Sequence, residues 1–245
     1  MLSKSQIKFI KSLELKKYRK SEGLFVAEGP KVVGDLLEAG WTPHSIFATA
    51  DYQYPGVCTQ TVTLSELQRI SFLQHPQKVL ATFLIPSQKQ IAPSLDKLTL
   101  ALDGVQDPGN LGTIIRIADW FGIDTVYCSN DTADVYNPKV VQATMGSLAH
   151  MSIIYSDLEE LFDHLPGNYP VYGTLLDGND IYKEELSTNG MIVMGNEGNG
   201  ISETIRRRVT HRLLIPNFNS NRQSAESLNV AIATAITCSE FMRRH

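Results

Sequence analysis

Between Leu98 and Ile236 the chain alternates short apolar runs with segments of helical period, and this alternation limits the fold more than any other feature. The apolar runs stand at Leu98 to Leu102, Thr125 to Cys128, Ser152 to Tyr155, Val171 to Leu175, Met191 to Met194 and His211 to Ile215. Helical patterns separate most of them: Leu111 to Phe121 closed by Gly122, Lys139 to Met145, Asp157 to Leu165 and Glu203 to Val209. A last helix enters through Glu226-Ser227 and is apolar nearly all round, so its body belongs inside the domain or against a second copy. Strands joined through helices pair in parallel, and a parallel sheet needs helices on both faces. The expected fold class is therefore α/β, with a mainly parallel sheet covered on both sides.

The first part of the chain reads as a smaller α/β unit. Residues 3 to 20 form a basic helical pattern with Ile7, Ile10 and Leu13 on one side, and Leu24 to Ala27 is a strand. Pro30 starts a helix that ends at Gly40, with proline inside the start and glycine past the end. Strands at Ser45 to Ala48 and Val79 to Ile85 bracket a helix from Ser65 to Ile70. The polar stretch from Pro86 to Ser94 reads as a linker, giving domains over residues 1–88 and 95–245.

Cys58, Cys128 and Cys238 are odd in number and far apart, which argues against a disulfide frame or thiolate zinc site and for the reducing cytoplasm. No run approaches a membrane span, and the basic N-terminus lacks a signal-peptide core. A net charge of −4 counts against a general nucleic-acid binder, but the distribution of charge reverses that. Lys4, Lys8, Lys11, Lys16, Lys17, Arg19 and Lys20 face only Glu14 in the first twenty positions, and Arg206, Arg207, Arg208 and Arg212 form a second cluster. The plainer alternative for both is a solvated helix face.

Ligands of such sheets sit off the carboxyl ends of the strands. Three junctions there are rich in chemistry: Leu102 to Gly112 (LDGVQDPGNLG) leading into a helix that carries Arg116, Met194 to Gly200 (MGNEGNG) with Glu197 at its centre, and Leu213 to Ile236 (LLIPNFNSNRQSAESLNVAIATAI). Each has a bland alternative: Asn110, Ser227 and Asn229 as helix caps, Glu197 capping its own turn, Arg116 in a surface salt bridge. The glycines run G-x-x-G-x-G and no acidic residue follows at dinucleotide spacing, so a Rossmann site is disfavoured. P-loop, nucleophile-elbow and H-E-x-x-H patterns are absent, and the scattered histidines support neither a metal nor a serine triad.

The DPGNLG turn with its helical arginine, then GNEGNGIS, then IP and ESLNVAIATAI, in that order, resemble the three motifs of the SpoU (TrmH) family of RNA ribose 2′-O-methyltransferases in the SPOUT superfamily. The run FVAEGPKVVGDLLEAG is similar to the small ribosomal-protein-L30e-like substrate-binding domain that precedes the catalytic domain in many members. The resemblance implies a homodimer, a C-terminal trefoil knot and S-adenosylmethionine held in the knot, with no metal. Carried over, Asn110, Arg116, Glu197, Ser227 and Asn229 line the reaction site. Thr174, Leu175, Gly195, Asn196, Gly200, Ile215 and Leu228 hold the methyl donor.

The RNA substrate is expected to be ribosomal, 23S ahead of transfer RNA, gripped by Lys16, Lys17, Arg19, Lys20 and Arg206. Two positions depart from the family pattern: the loop from Pro216 to Glu226 lacks the usual glycine and is longer, and Gln142 replaces a common basic residue. The competing readings are an RNA-binding or assembly factor that has lost turnover, and an unrelated nucleotide-binding α/β protein.

Overall fold

The structure, a computed structural model, describes residues 1–52, 54, 56–87, 91–219 and 226–244. The chain divides into two compact units, one of Met1–Ser87 with Asp134–His150, the other of Gln88–Ala133 with Met151–His245.

In the first unit, helices α1 (Lys4–Ser12) and α2 (Lys16–Glu22) precede β1 (Leu24–Glu28), α3 (Pro30–Glu38), β2 (Pro43–Ala48), β3 (Gln60–Thr61), α4 (Leu64–Ile70) and β4 (Val79–Leu84). The strands form one sheet in the order β1-β4-β2-β3. Ile10, Leu13, Leu24, Val26, Phe47, Leu67, Ile70 and Leu80 make its core.

The single helix expected over residues 3 to 20 is two, broken at Leu13 to Leu15. Arg19 shows why the break is stable. Its guanidinium donates to the carbonyls of Leu13 (2.8 Å) and Glu14 (2.6 Å), which the interrupted helix leaves without partners. The same group forms a 2.6 Å ion pair with Asp134, its side chain only 3% exposed. Arg19 thus ties the inserted segment 134–150 to this unit, and the expectation that it grips RNA is corrected: its donors are spent internally.

In the second unit, β5 (Leu98–Asp103), α5 (Pro108–Trp120) and β6 (Thr125–Cys128) come before the inserted segment, which contains α6 (Pro138–Ala143). After it follow β7 (Ser152–Tyr155), α7 (Leu158–Asp163), β8 (Val171–Asp180), β9 (Gly190–Gly195), α8 (Glu203–Arg206), β10 (His211–Leu214) and α9 (Val230–Arg243). All six strands run parallel in the order β10-β8-β9-β5-β6-β7. Ala101, Tyr127, Val171, Met191, Val193, Ile201 and Ile205 belong to the core on one face, while α5 and α9 pack together.

Strand β8 departs from expectation. It continues to Asp180, and its register with β10 jumps from Arg212↔Gly173 to Leu213↔Asn179. Gly178 lies where a Cβ would sit 2.6 Å from the Leu213 carbonyl carbon, so the two chains pass too closely for a side chain.

Helix α9 ends in a polar clasp. Glu240 receives Arg243 (2.8 Å) and Arg244 (2.7 Å), and the Arg243 guanidinium and its neighbour hold the Glu240 carboxyl down at about 2. A carboxyl depressed in the folded state stabilises above its ordinary value of 4.5 and loses that contribution as pH falls toward about 2. Glu240→Gln should therefore lower the thermal midpoint at pH 7 and leave it nearly unchanged at pH 2. Equal losses at both pH values in a melting series would remove the charge from the explanation.

Candidate active site

Strand β5 is where the sheet order reverses: β6 lies on one side of it, β9 on the other. In an open parallel sheet this is where a crevice opens beyond the carboxyl ends. The last residues of the two central strands, Asp103 and Gly195, stand in register there.

The turn after β9 folds on itself. Asn196 and Gly200 exchange backbone hydrogen bonds of 2.9 Å, and the Asn196 side-chain oxygen accepts from the N–H groups of Gly198 (2.9 Å) and Asn199 (3.0 Å). Its amide NH2 donates to the Gly104 carbonyl at 2.7 Å, so one asparagine closes its own turn and fastens it to the turn after β5. Asn196, not Glu197, caps this turn.

Glu197 reaches across instead. Its carboxylate accepts from the backbone N–H groups of Gln106 (3.2 Å) and Asp107 (3.1 Å) and from the Asn110 side chain (2.9 Å). The Asn110 side-chain oxygen in turn accepts from Asn229 Nδ2 at 2.9 Å. Asn229 Oδ1 then accepts from the N–H groups of Ala231 (3.0 Å) and Ile232 (3.3 Å), capping α9.

The polarity of this chain is fixed at both ends. A carboxylate only accepts and backbone N–H only donates, so neither amide can be flipped without breaking it. Burial pushes the Glu197 carboxyl up, but the donors from Asn110 and from the backbone of Glu197, Gln106 and Asp107 outweigh it and leave the group below its ordinary value. It is an ionised anchor at neutral pH, not a proton donor.

Asn110→Asp would set a second carboxylate where the Asn110 amide now donates. Like charges at that range push one group toward protonation, so the acidic limb of a pH–rate profile should move up by about one unit or more. An unshifted limb would remove Asn110 from the electrostatics of Glu197.

The caps differ from expectation. Asp107, not Asn110, caps α5, its Oδ1 accepting from Asn110 N at 2.8 Å. Helix α9 starts at Val230, after Asn229, so Glu226-Ser227 is not its entry. Asn229 is a cap and a member of the Glu197–Asn110 chain at once. Ser227 is exposed and caps no helix among the described residues.

Arg116 lies on an exposed stripe of α5 with Thr113 and Trp120, and forms no ion pair with a described residue. The surface salt bridge weighed as its alternative is not seen among the described residues.

Of the residues expected to hold a cofactor, Thr174 and Leu175 follow the last β8–β9 pair at Gly173, within β8, and Gly195 and Ile215 stand at or just past the ends of β9 and β10. Thr174 Oγ1 donates to the Val193 carbonyl at 3.3 Å, Leu175 is buried and Ile215 is half-buried just past β10. Leu228, directly before the α9 cap, is 50% exposed, and nearby in sequence Phe218 is 83% exposed. A Cβ on Gly195 would lie 2.2 Å from both Gly200 C and Ile201 N, so this cradle admits only glycine. The part of the long loop at 220–225 lies outside the described residues.

The expected RNA contacts divide. Lys16, Lys17 and Lys20 are exposed. Arg206 pairs with Asp177, which also receives Arg212 at 3.1 Å. Arg207 pairs with Glu203 at 3.2 Å and Arg208 with Asp163. Each arginine of the second cluster thus already has a carboxylate, which a phosphate must displace.

Sequence reasoning missed Asp107 and the amides of Gln106 and Asp107, and named Asn196 only as a cofactor-holding residue, not as the clasp of its own turn. Asp before Pro at a helix start is a capping signal that pointed to Asp107; the receiving amides carry no side-chain signal at all.

Residues 97–239 match a family model described as the SpoU rRNA Methylase family, and residues 4–81 match one described as an MRM3-like substrate binding domain. The chain is 31% identical over 238 residues to the 23S rRNA (guanosine(2553)-2′-O)-methyltransferase of Bacillus subtilis, covering 94% of this chain and 93% of that protein. Among solved structures, a TrmH-family protein from Porphyromonas gingivalis superposes with a TM-score of 0.88 at 42% identity, covering 100% of both chains. An rRNA methyltransferase from Sinorhizobium meliloti, solved with AdoMet bound, gives a TM-score of 0.87 at 31% identity, covering 100% of this chain and 97% of that one.

Proposed function

We infer the activity from one premise: the chain belongs to the SpoU rRNA methylase family. It is an S-adenosylmethionine-dependent methyltransferase that acts on a ribose 2′-hydroxyl of structured RNA, ribosomal RNA of the large subunit ahead of transfer RNA. The observation that carries this reading is the hydrogen-bonded chain Glu197–Asn110–Asn229, which draws the junctions after β5 and β9 to the one before α9.

The residues fit a sulfonium donor. Gly195 lets the turn after β9 close against Gly200 and Ile201, which fixes the polar backbone at the end of that strand, and apolar Leu228 is half exposed just before the α9 cap. Bound S-adenosylmethionine supplies a methyl group on positively charged sulfur. Residues Thr174, Leu175, Gly195, Asn196, Gly200, Ile215 and Leu228 hold it.

A ribose hydroxyl is a weak nucleophile, so the protein must fix it in line and stabilise charge on its oxygen while the new C–O bond replaces the C–S bond and the hydroxyl proton passes to solvent water. The Arg116 guanidinium supplies that stabilisation as a cation. Glu197, Asn110 and Asn229 hold their junctions in one geometry, and the Ser227 hydroxyl lies within two residues of the Asn229 cap to bind substrate.

Along the chain the domains are an RNA-binding domain over 1–88 and a catalytic domain over 95–245, whose segment 134–150 belongs to the first compact unit. Lys16, Lys17 and Lys20 grip phosphates, with Arg206 joining once it leaves Asp177. The register jump between β8 and β10 and the bare approach at Gly178 support a C-terminal trefoil knot. Exposed Trp120 (83%) and Ile232 (53%) on the paired helices α5 and α9 support a homodimer through that face. A monomer in sedimentation equilibrium at micromolar concentration would remove it. The free thiols of Cys58, Cys128 and Cys238 suit the reducing cytoplasm.

The test is incubation of the purified chain with methyl-labelled S-adenosylmethionine and total RNA from wild-type and gene-deleted cells, followed by mapping of 2′-O-methyl sites. One new site in the large-subunit RNA of the deleted strain is the expected result. Label on transfer RNA would reassign the substrate, and binding without transfer would leave a non-catalytic RNA-binding factor.

A further inference from the structure

Within the first unit a cavity of about 270 Å³ is lined by Val26, Glu28, Phe72, Leu73, Pro138, Lys139, Gln142 and Ala143. Its walls come from the end of β1, from the residues after α4, and from α6 of the inserted segment. Ligand sites start near about 300 Å³, so this one has room for a single base rather than a whole nucleotide.

The lining is apolar except for three groups. Glu28 is only 5% exposed. Its Oε1 accepts from Phe72 N at 2.7 Å and its Oε2 accepts from the Ser71 hydroxyl. Each carboxylate oxygen retains a second acceptor position. Gln142 is half-buried, and its amide makes no hydrogen bond to a described residue. Lys139 is exposed at the start of α6 and forms no ion pair with a described residue.

A buried acceptor, an uncommitted amide and a cation among apolar walls suit a planar heterocycle that presents N–H donors and trails a phosphate. We propose that this cavity takes one unstacked guanine of the RNA substrate. Guanine is the base that offers two adjacent donors, N1–H and the 2-amino group, to a carboxylate. Gln142 meets its 6-oxo edge, and Lys139 meets the backbone phosphate at the mouth. Single-stranded RNA is read in this manner, through splayed bases whose edges meet buried polar groups. The proposal deepens the RNA-methyltransferase reading by assigning a base-selecting pocket to the unit that carries none of the methyl-donor residues.

The test uses the full chain and labelled nonamers of uridine with one central guanine, inosine, adenine or cytosine, read by fluorescence anisotropy. Wild type should bind the guanine nonamer about 10-fold more tightly than the all-uridine one, with inosine between them because it lacks the 2-amino donor. Gln142→Leu and Ala143→Leu, which remove the amide and fill the cavity, should erase the preference. Glu28→Gln should do the same, and if it fails to fold the other two variants still decide. Equal affinity for all nonamers in wild type, or an unchanged preference in both cavity variants, overturns the proposal. S-adenosylmethionine binding, measured on the same proteins, is expected to be unaffected. Its absence in wild type would defeat the methyltransferase reading while leaving the base preference to be judged on its own result.

Discussion

Arg116→Lys is expected to lower the turnover of methyl transfer by about 100-fold, roughly 2.7 kcal/mol of transition-state stabilisation. Lysine keeps the charge but loses the planar fork that can face an oxygen and an adjacent phosphate together. Arg116 lies on the exposed stripe of α5 and has no described carboxylate holding it, so its removal leaves no orphaned partner in the fold. The loss should fall on kcat, with S-adenosylmethionine affinity and melting temperature close to wild type. Arg116→Ala should cost more, on the order of 1,000-fold. Near-normal turnover in the lysine variant would leave only a point charge at this position and refute the role of the fork.

Gly195→Ala should be the most damaging small substitution in the second unit. The added methyl would meet Gly200 C and Ile201 N, both backbone, at 2.2 Å. Neither can swing aside as a side-chain tip would, because Gly200 is fixed to Asn196 by two 2.9 Å hydrogen bonds. The turn must open, at a cost of about 3 kcal/mol, lowering the melting temperature by roughly 6–12 °C for a chain of this size. Opening also pulls Glu197 from the amides of Gln106 and Asp107, so methyl-donor binding should fall at least 10-fold. Gly198→Ala is the control. Its nearest neighbour would be Asn196 Oδ1 at an ordinary 3.6 Å, and it should be tolerated. Matching melts and affinities in the two variants would show that close approach at Gly195 does not shape the site.

The sequence made the sheet legible because parallel strands, buried on both faces, are written as short uninterrupted apolar runs. Thr125–Cys128 and Ser152–Tyr155 lie where those runs end, and apart from the far end of β8 the other ends shift by a residue or two. Strand β8 was cut short because its last residues, Leu176 to Asp180, are mostly exposed and polar, and its pairing comes from a distant strand. The break between α1 and α2 was hidden because the group that stabilises it, Arg19, reaches back through space to carbonyls. A side chain with five donors reads as a surface charge until its acceptors are known. The arginines from 206 to 212 likewise read as unpaired charges, although Asp177 and Asp163 from distant segments and Glu203 one turn earlier pair with them.

The candidate site was legible residue by residue but not as a circuit. Composition at the three junctions pointed to Asn110, Glu197 and Asn229. That Asn110 stands between the other two follows only from the pairing of β5 with β9 and the packing of α5 against α9. No local sequence pattern carries the close passage of β10 beside Gly178, because it is set by the pairing of two strands far apart in the chain.

The measurement that bears most directly on a methyl-donor site built from these converging junctions is calorimetric titration of the purified chain with S-adenosylmethionine, beside the Gly195→Ala protein. One saturable site per chain, weakened at least 10-fold by the alanine, is the predicted result. No binding to wild type up to millimolar concentrations, or equal affinity in both proteins, would contradict it.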